Sequence, residues 1–362
     1  MKLDTVHFLA PHIPEAVFSV FELTFAIITA ALICGSFAER MKFESMLIFI
    51  GLWHVLIYCP IAHSNWHFDG FLYKLGVLDF AGGNVVHVAS GCSGLMTAIV
   101  IGHRKGWKAR QRDTHPPHNV LMTYMGMCML WVGWFGFNAG SAMGANERAA
   151  YALYTTQIAT SASSLSWLAV EWYLIKKPSV FGMINGAVAG LVCMTSSAGY
   201  VDMNGAFFIG LFGGVFCYFG SQLKYEILKI DDSLDCFGIH AVGGIVGGIM
   251  TGFFATKAVT GNATGQGVYY SSLSVGGRQL AIQLCGILFS VGWSCIVTFL
   301  LATALDRTIG LRVSAEREDY GLDATQDEAV VHRGELDTNG GIELNNQSSS
   351  THQAFPAGDE FY

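Results

Sequence analysis

The chain is dominated by apolar segments that are each long enough to cross the hydrocarbon core of a membrane. A helix rises about 1.5 Å per residue, so roughly 20 apolar residues cover about 30 Å of hydrocarbon. Only 13% of the 362 residues are charged, against about 25% in soluble domains. Because a chain in lipid must satisfy its backbone hydrogen bonds internally, these segments predict an all-α, polytopic membrane helix bundle. The nine predicted spans are approximately 14–37, 44–63, 83–102, 119–142, 150–175, 180–199, 206–227, 237–256 and 280–306.

The distribution of Lys and Arg gives the expected orientation of these spans. When nine spans alternate, fifteen of the 20 basic residues fall on one side of the membrane. Cytoplasmic loops carry the excess of basic residues, so the N-terminus is expected outside and the C-terminus in the cytosol. The chain then divides into an extracellular segment (1–13), a transmembrane domain (14–309) and a polar cytosolic tail (310–362), which is expected to be partly disordered.

Several function classes are disfavoured by what the sequence lacks. It has no basic stripe interleaved with aromatic residues, so a nucleic-acid partner is not expected. Its nine cysteines are scattered singly without a CxxC pair, which argues against a disulfide framework or a zinc site. There is no GxSxG, Walker or HExxH motif either. The sequence therefore predicts neither an enzyme nor a bound metal or cofactor.

Two histidines follow aspartates at the start of glycine-rich spans. Asp79 precedes His87 in the third span, and Asp235 precedes His240 in the eighth. Each aspartate is expected to cap its helix, with the histidine one to two turns deeper in the membrane. The predicted orientation makes the two spans antiparallel, as in an inverted repeat with a solute path at its interface. Ionisable groups at membrane depth are functional candidates, so the pair predicts a shared pore.

Aromatic residues and a hydroxyl cluster near the outer ends of other spans. Phe21 and Phe25 are four residues apart on the first span, as are Phe137 and Ser141 on the fourth. Trp66 lies in the external loop after the second span. A Trp face and a hydroxyl above phenyl rings would form a cation–π bowl over a hydrophobic plug. This arrangement favours a small cation as the solute.

Six motifs that contain or surround these residues resemble those of the Amt/MEP ammonium transporter family. The similarity extends from about residue 14 to 325 and keeps the order of the family. The motifs are FAIITAALICGSFAER (25–40), CPIAHSNW (59–66), DFAGGNVVH (79–87), GWFGFNAGSA (133–142), DDSLDCFGIHAVGGIVGGIMTGFFA (231–255) and GLRVSAEREDYGLD (310–323).

The resemblance implies transport of ammonium or ammonia, with methylammonium as a further substrate, through a twin-histidine pore. It also implies a homotrimer with one pore per subunit in a lipid bilayer, which we expect to be the plasma membrane. The implied site residues are Trp66 and Ser141 for recruitment, Phe25 and Phe137 with Phe21 for the gate, His87 and His240 for the pore, and Asp79 for the outer vestibule.

The sequence departs from the family pattern in two ways that matter for function. The family usually has eleven helices, and these nine resemble the last nine, so the first two are expected to be absent. Glu22 stands where the family usually has Gln. A carboxylate at that depth is costly unless it is hydrated, paired or protonated, so Glu22 is assigned to the vestibule with Asp79 and Asp235.

Two other functions remain open at the level of sequence. A sensor would bind ammonium with little flux, and the acidic tail is compatible with that role. A membrane oxidoreductase would hold haem between paired histidines on facing helices. The candidate haem ligands are His54, His63, His67, His87 and His240.

Overall fold

Helices make up most of the chain in the computed structural model, which describes residues 5–7, 10–107, 119–261 and 265–322. Within these residues, four π-helical segments adjoin α-helices, at His54–Tyr58, Gly83–Val88, Lys224–Leu228 and Cys236–Ala241. The α-helices are α1 Glu15–Cys34, α2 Phe43–Trp53, α3 Cys59–Trp66, α4 Phe71–Leu75, α5 Ala89–Ile101, α6 Val120–Gly140, α7 Glu147–Ile175, α8 Val180–Thr195, α9 Met203–Leu223, α10 Val242–Phe254, α11 Lys257–Thr260, α12 Leu273–Thr308 and α13 Ala315–Tyr320.

A short β-hairpin precedes the first long helix. Strands β1 (Val6–His7) and β2 (Ala10–Pro14) pair antiparallel, and the backbone N–H of Glu15 then donates to the carbonyl of Thr5. The sequence predicts residues 1–13 only as an external segment, and the hairpin is a feature that it does not indicate.

Each of the nine predicted spans coincides with a helical segment, which confirms the all-α membrane bundle. Within the described residues, seven helical segments are long and apolar enough to cross a membrane. The other two predicted spans correspond to α7 and α8. Helix α7 has 29 residues but buries a face rich in Ser and Thr, and α8 has only 16 residues. Both meet α9 through small side chains, which allow close helix approach in membranes.

The two histidine-bearing segments lie at the centre of the bundle. Most residues of the span Gly83–Ile101 are buried, whereas most residues of α1 and α12 are not. The second such span, Cys236–Phe254, packs against both α9 and α12. The outermost helices therefore shield a central pair that runs through the middle of the protein.

The segment that follows α12 folds back onto the end of the bundle at which α12 ends. The N–H of Lys42 donates to the carbonyl of Leu311, and the N–H of Val313 donates to the carbonyl of Arg40. The Arg312 side chain also reaches the carbonyls of Ile101 and His103, at 3.0 and 2.6 Å. The first part of the predicted tail is thus bound to the bundle, whereas residues 323–362 lie outside the described part of the chain.

A buried ionic cluster ties three loops together at the same end. Arg40 is fully buried and lies 3.5 Å from the carboxylate of Asp231, which Arg104 binds through two nitrogens at 2.8 and 2.9 Å. Burial alone would raise the pKa of Asp231, but the hydrogen bonds from Arg104 and the charge of Arg40 outweigh it and hold the pKa below 3.8. Asp231 therefore stays ionised between its two guanidinium partners.

Candidate functional site

Both candidate histidines lie in π-helical segments that run directly into central α-helices. His87 belongs to Gly83–Val88 and precedes α5, while His240 belongs to Cys236–Ala241 and precedes α10. Such wide turns are frequent at functional sites. The two segments place their imidazoles at corresponding positions of two similar elements.

Glycines allow these elements to cross in direct backbone contact. A Cβ atom on Gly91 would lie 2.2 Å from the backbone nitrogen of Ala241. A Cβ on Gly244 would lie 2.6 Å from the carbonyl oxygen of Gly83. Real Cβ atoms do not approach other atoms this closely, so the crossing depends on hydrogen at both positions.

The crossing brings the two imidazoles together. Nδ1 of His87 lies 3.2 Å from Nδ1 of His240, and the ring planes are inclined by 20°. His87 is fully buried and His240 is 8% exposed. One neutral ring must donate to the other at this contact, because a neutral imidazole has one donor and one acceptor nitrogen. Nε2 of His87 has no hydrogen-bond partner among the described residues.

A continuous line of aromatic rings leads to this pair. Trp66 lies 5.6 Å from Phe25 by ring centroids, and Phe25 lies 4.4 Å from Phe137. The ring centroid of Phe137 is in turn 6.3 Å from that of His87, and Trp134 also stacks on His87, with centroids 5.4 Å apart and ring planes inclined by 10°. The predicted gate residues and pore histidines are therefore brought together in one file.

The outer residues of the file are held by hydrogen bonds to the backbone. Nε1 of Trp66 donates to the carbonyl of Asp79 at 2.9 Å, and the Ser141 hydroxyl donates to the carbonyl of Phe137 at 2.8 Å. Phe21 packs edge-on to Phe25 at 4.9 Å. With its proton engaged, the Ser141 oxygen keeps its lone pairs for a donor such as a solute N–H.

Asp79 caps the first histidine segment, as predicted. Its Oδ2 accepts the backbone N–H groups of Asn84 and Val85 at 3.0 and 3.2 Å. Burial raises the pKa of the Asp79 carboxyl from 3.8 to about 6, although these backbone donors favour the charged form. The carboxylate is thus ionised at neutral pH but close to protonation.

The predicted capping role of Asp235 is wrong. Its side chain makes no capping hydrogen bond; it forms an ion pair with the buried Lys224. The capping carboxylate is instead Asp232, whose Oδ2 accepts the N–H of Phe237 at 2.8 Å. Sequence spacing could have revealed it, because Asp232 precedes His240 by the same interval that separates Asp79 from His87.

Glu22 is half-buried on α1, directly after Phe21 of the gate region. Because α1 begins at Glu15, Glu22 lies about two turns into this helix. The neighbouring gate residue Phe25 lies on the next turn and is 2% exposed. Glu22 therefore lies beside the aromatic file and outside the histidine pair.

The predicted haem ligands do not form a haem site. His54 stacks on Tyr58, and His63 stacks on His67, at centroid distances of 4.8 and 4.5 Å. An iron ion between two imidazoles needs about 2 Å on each side, or about 4 Å in all, by analogy with other metal–imidazole bonds. The 3.2 Å contact between His87 and His240 is too short for that insertion.

Comparisons with known proteins agree on one family. A family model described as Ammonium Transporter Family matches residues 1–331. An ammonium transporter of Bacillus subtilis is 42% identical over 313 residues, which cover 86% of this chain and 75% of that protein. An ammonium transporter of Aquifex aeolicus is 45% identical over 307 residues, covering 84% of this chain and 69% of that one.

Solved structures show the same similarity. Mep2 from Candida albicans matches with a TM-score of 0.79 and 35% identity, over 85% of this chain and 68% of that chain. A structure named Sensor Amt Protein matches with a TM-score of 0.77 and 28% identity, over 85% of this chain and 76% of that chain.

Proposed function

The chain belongs to the ammonium transporter family, and we propose that its path for ammonium runs along the aromatic file to His87 and His240. Family membership confirms the resemblance that the motifs predicted, and with it an integral membrane protein that transports ammonium. The relatives are named as transporters rather than enzymes, in agreement with the sequence analysis.

Recruitment of the cation is assigned to Trp66 and Ser141. The face of a Trp ring attracts a cation through its quadrupole, and the Ser141 oxygen can accept one of its N–H bonds. The buried carboxylate of Asp79 adds negative charge close to Trp66, because the indole of Trp66 is hydrogen-bonded to the backbone carbonyl of the same aspartate. These features favour ammonium over a neutral solute at the outer end of the file.

The phenyl rings then separate ammonia from its proton. Phe25 and Phe137 leave no polar atom at the 4.4 Å contact between their rings, so an ion would lose its hydration there. Transfer of a charge into such a low-dielectric region is far more costly than transfer of a neutral molecule. The nitrogen is therefore expected to continue as ammonia: one N–H bond of ammonium breaks at these rings, and the proton passes to a free ring nitrogen of the adjacent histidine pair, such as Nε2 of His87.

The histidine pair can bind both the ammonia molecule and the proton that result from this step. Because the two Nδ1 atoms are engaged with each other, only Nε2 of each ring is left for the solute: one ring offers an Nε2–H that can donate to the lone pair of ammonia, and the other offers an unprotonated Nε2 that can accept a proton. The contact of 3.2 Å between the two Nδ1 atoms supports a relay for the proton. This contact is the single observation that carries the proposed mechanism.

Several further assignments belong to the same proposal. The basic-residue distribution supports an external N-terminus and a cytosolic C-terminus, and the plasma membrane is proposed as the location. Helix α6 exposes large apolar side chains, including Leu121, Met129 and Val132, which suit lipid or a neighbouring subunit. A homotrimer would cover part of such a surface. Glu22 is assigned to the vestibule, where it attracts cations when ionised.

Transport by the purified protein tests the proposal. Liposomes that contain the protein are expected to accumulate labelled methylammonium with saturable kinetics, and unlabelled ammonium should compete with the label. Empty liposomes are the control. Saturable binding to the purified protein without uptake would favour the sensor function instead, and absence of both would contradict any role in ammonium recognition.

The pH dependence of recruitment follows from Asp79. Because its pKa is raised to about 6, the carboxylate is charged above that pH and becomes neutral as the pH falls through it. The KM for methylammonium on the external side is therefore expected to rise as the external pH falls from about 7 to 5. Measurement of initial uptake rates across this range tests the effect, and Asp79→Asn should have a high KM that no longer changes with pH. An unchanged pH profile in that variant would assign the titration to another group.

A further inference from the structure

The guanidinium group of Arg148 packs against two aromatic rings next to the turn that contains Asp79 and Phe80, here called the Asp79 turn. Its guanidinium carbon lies 5.0 Å from the ring centroid of Phe80 and 4.8 Å from that of Tyr200. Nε of the same side chain donates to the carbonyl of Gly199 at 2.9 Å. The two rings meet edge to face, 5.5 Å apart. One cation thus links the start of α7 to two separate loops.

Phe80, whose ring contacts Arg148, belongs to the same turn as Asp79, which holds Trp66 of the proposed recruitment site. Phe80 follows Asp79 directly, and its N–H donates to the carbonyl of Ser196 at 3.0 Å. Gly199 lies flush against the ring, because a Cβ there would be 2.1 Å from an edge carbon of Phe80. Phe80 can therefore move only if Arg148, Tyr200 or Gly199 moves with it.

The position of Asp79 determines that of the recruiting indole. Its carbonyl accepts from Nε1 of Trp66, and its carboxylate caps Asn84 and Val85. A displaced Asp79 would tilt the Trp66 ring and loosen the cap at the same time. The indole–carbonyl bond is the route by which a residue that does not touch the solute can act on recruitment.

We propose that Arg148 is a positioning residue for ammonium recruitment, and that it holds the Asp79 turn and Trp66 through its contacts with Phe80 and Tyr200. The inference rests on the proposed recruitment by Trp66. Arg148 acts through Phe80 and the Asp79 carbonyl and makes no contact with the transported ion. Its own positive charge would repel ammonium, so a purely electrostatic role would predict tighter binding when the charge is removed.

The test compares KM with the maximal uptake rate for Arg148→Gln in liposomes. Loss of the cation is expected to raise the KM for methylammonium about fivefold, while the maximal rate per protein stays within about twofold. Arg148→Lys keeps a cation above the rings and should return the KM to near the wild-type value. Arg278→Gln removes an exposed arginine from the outer end of α12 and serves as the matched charge control with an unchanged KM.

A variant that combines Arg148→Gln with Trp66→Leu tests whether Arg148 affects recruitment through Trp66. If Arg148 acts through Trp66, adding Arg148→Gln to Trp66→Leu raises the KM no further. Additive increases in KM, a lower KM in Arg148→Gln, or a reduced maximal rate at unchanged KM would each overturn the positioning role. An unchanged KM in Trp66→Leu would instead contradict the recruitment site itself, which separates failure of this inference from failure of the proposed function.

Discussion

Replacement of His87 or His240 by alanine is expected to lower the saturated rate of methylammonium uptake by about 100-fold, the lower end of what a positioned proton-transfer group contributes. Either change removes one partner of the 3.2 Å Nδ1–Nδ1 contact, so the proton loses its relay while the aromatic file remains. Uptake of labelled methylammonium into liposomes, normalised to the amount of folded protein, measures the effect.

His54→Ala is the matched control for these variants. His54 is also a membrane-depth histidine, but it stacks on Tyr58 in another helical segment and is absent from the aromatic file. Its replacement should leave the saturated rate within about twofold of the wild type. Wild-type rates in both pore variants would remove the relay from the mechanism.

Replacement of Gly91 by alanine should abolish uptake and destabilise the protein. The new methyl group would lie 2.2 Å from the nitrogen of Ala241, a backbone atom that cannot move without separating the two histidine segments. Overpacking of this kind costs about 1–3 kcal/mol. Thermal unfolding of the purified protein in detergent and uptake in liposomes measure the two consequences.

Gly292→Ala provides a control with the opposite sign. Apart from the chain neighbours and the adjacent backbone of the same helix, no atom of the described residues lies within 4 Å of the Cβ that would be added to this glycine in α12. Alanine then gains its usual advantage over glycine in a helix, about 0.5–1 kcal/mol, so the Tm should rise slightly with uptake unchanged. Equal stabilisation by both substitutions would show that the helices do not cross at Gly91.

The features of the fold that depend on local composition were predictable. Long apolar segments predicted the helical bundle, and matched Asp–His patterns at the start of two of them predicted the histidine pair. Phe25 and Phe137 could be assigned to a gate because the motif around each resembles one family. These predictions need only one stretch of sequence at a time.

Features that depend on contacts between distant segments were not predictable. No motif singled out Arg148, since nothing local in the sequence shows that Phe80 and Tyr200 would meet around it. The π-helical geometry of the histidine segments was likewise visible only in three dimensions. The cap by Asp232 is a different case, because its spacing from His240 equals that of Asp79 from His87 and could have identified it from the sequence.

Simultaneous recording of current and labelled methylammonium uptake in liposomes tests the histidine relay most directly. If the amine and its proton both cross, the wild type should carry a charge of about one per molecule transported, and His87→Ala should lose current and uptake together. A His87→Ala protein that retains the saturated current and uptake of the wild type would contradict the relay, as would wild-type uptake with no current at all.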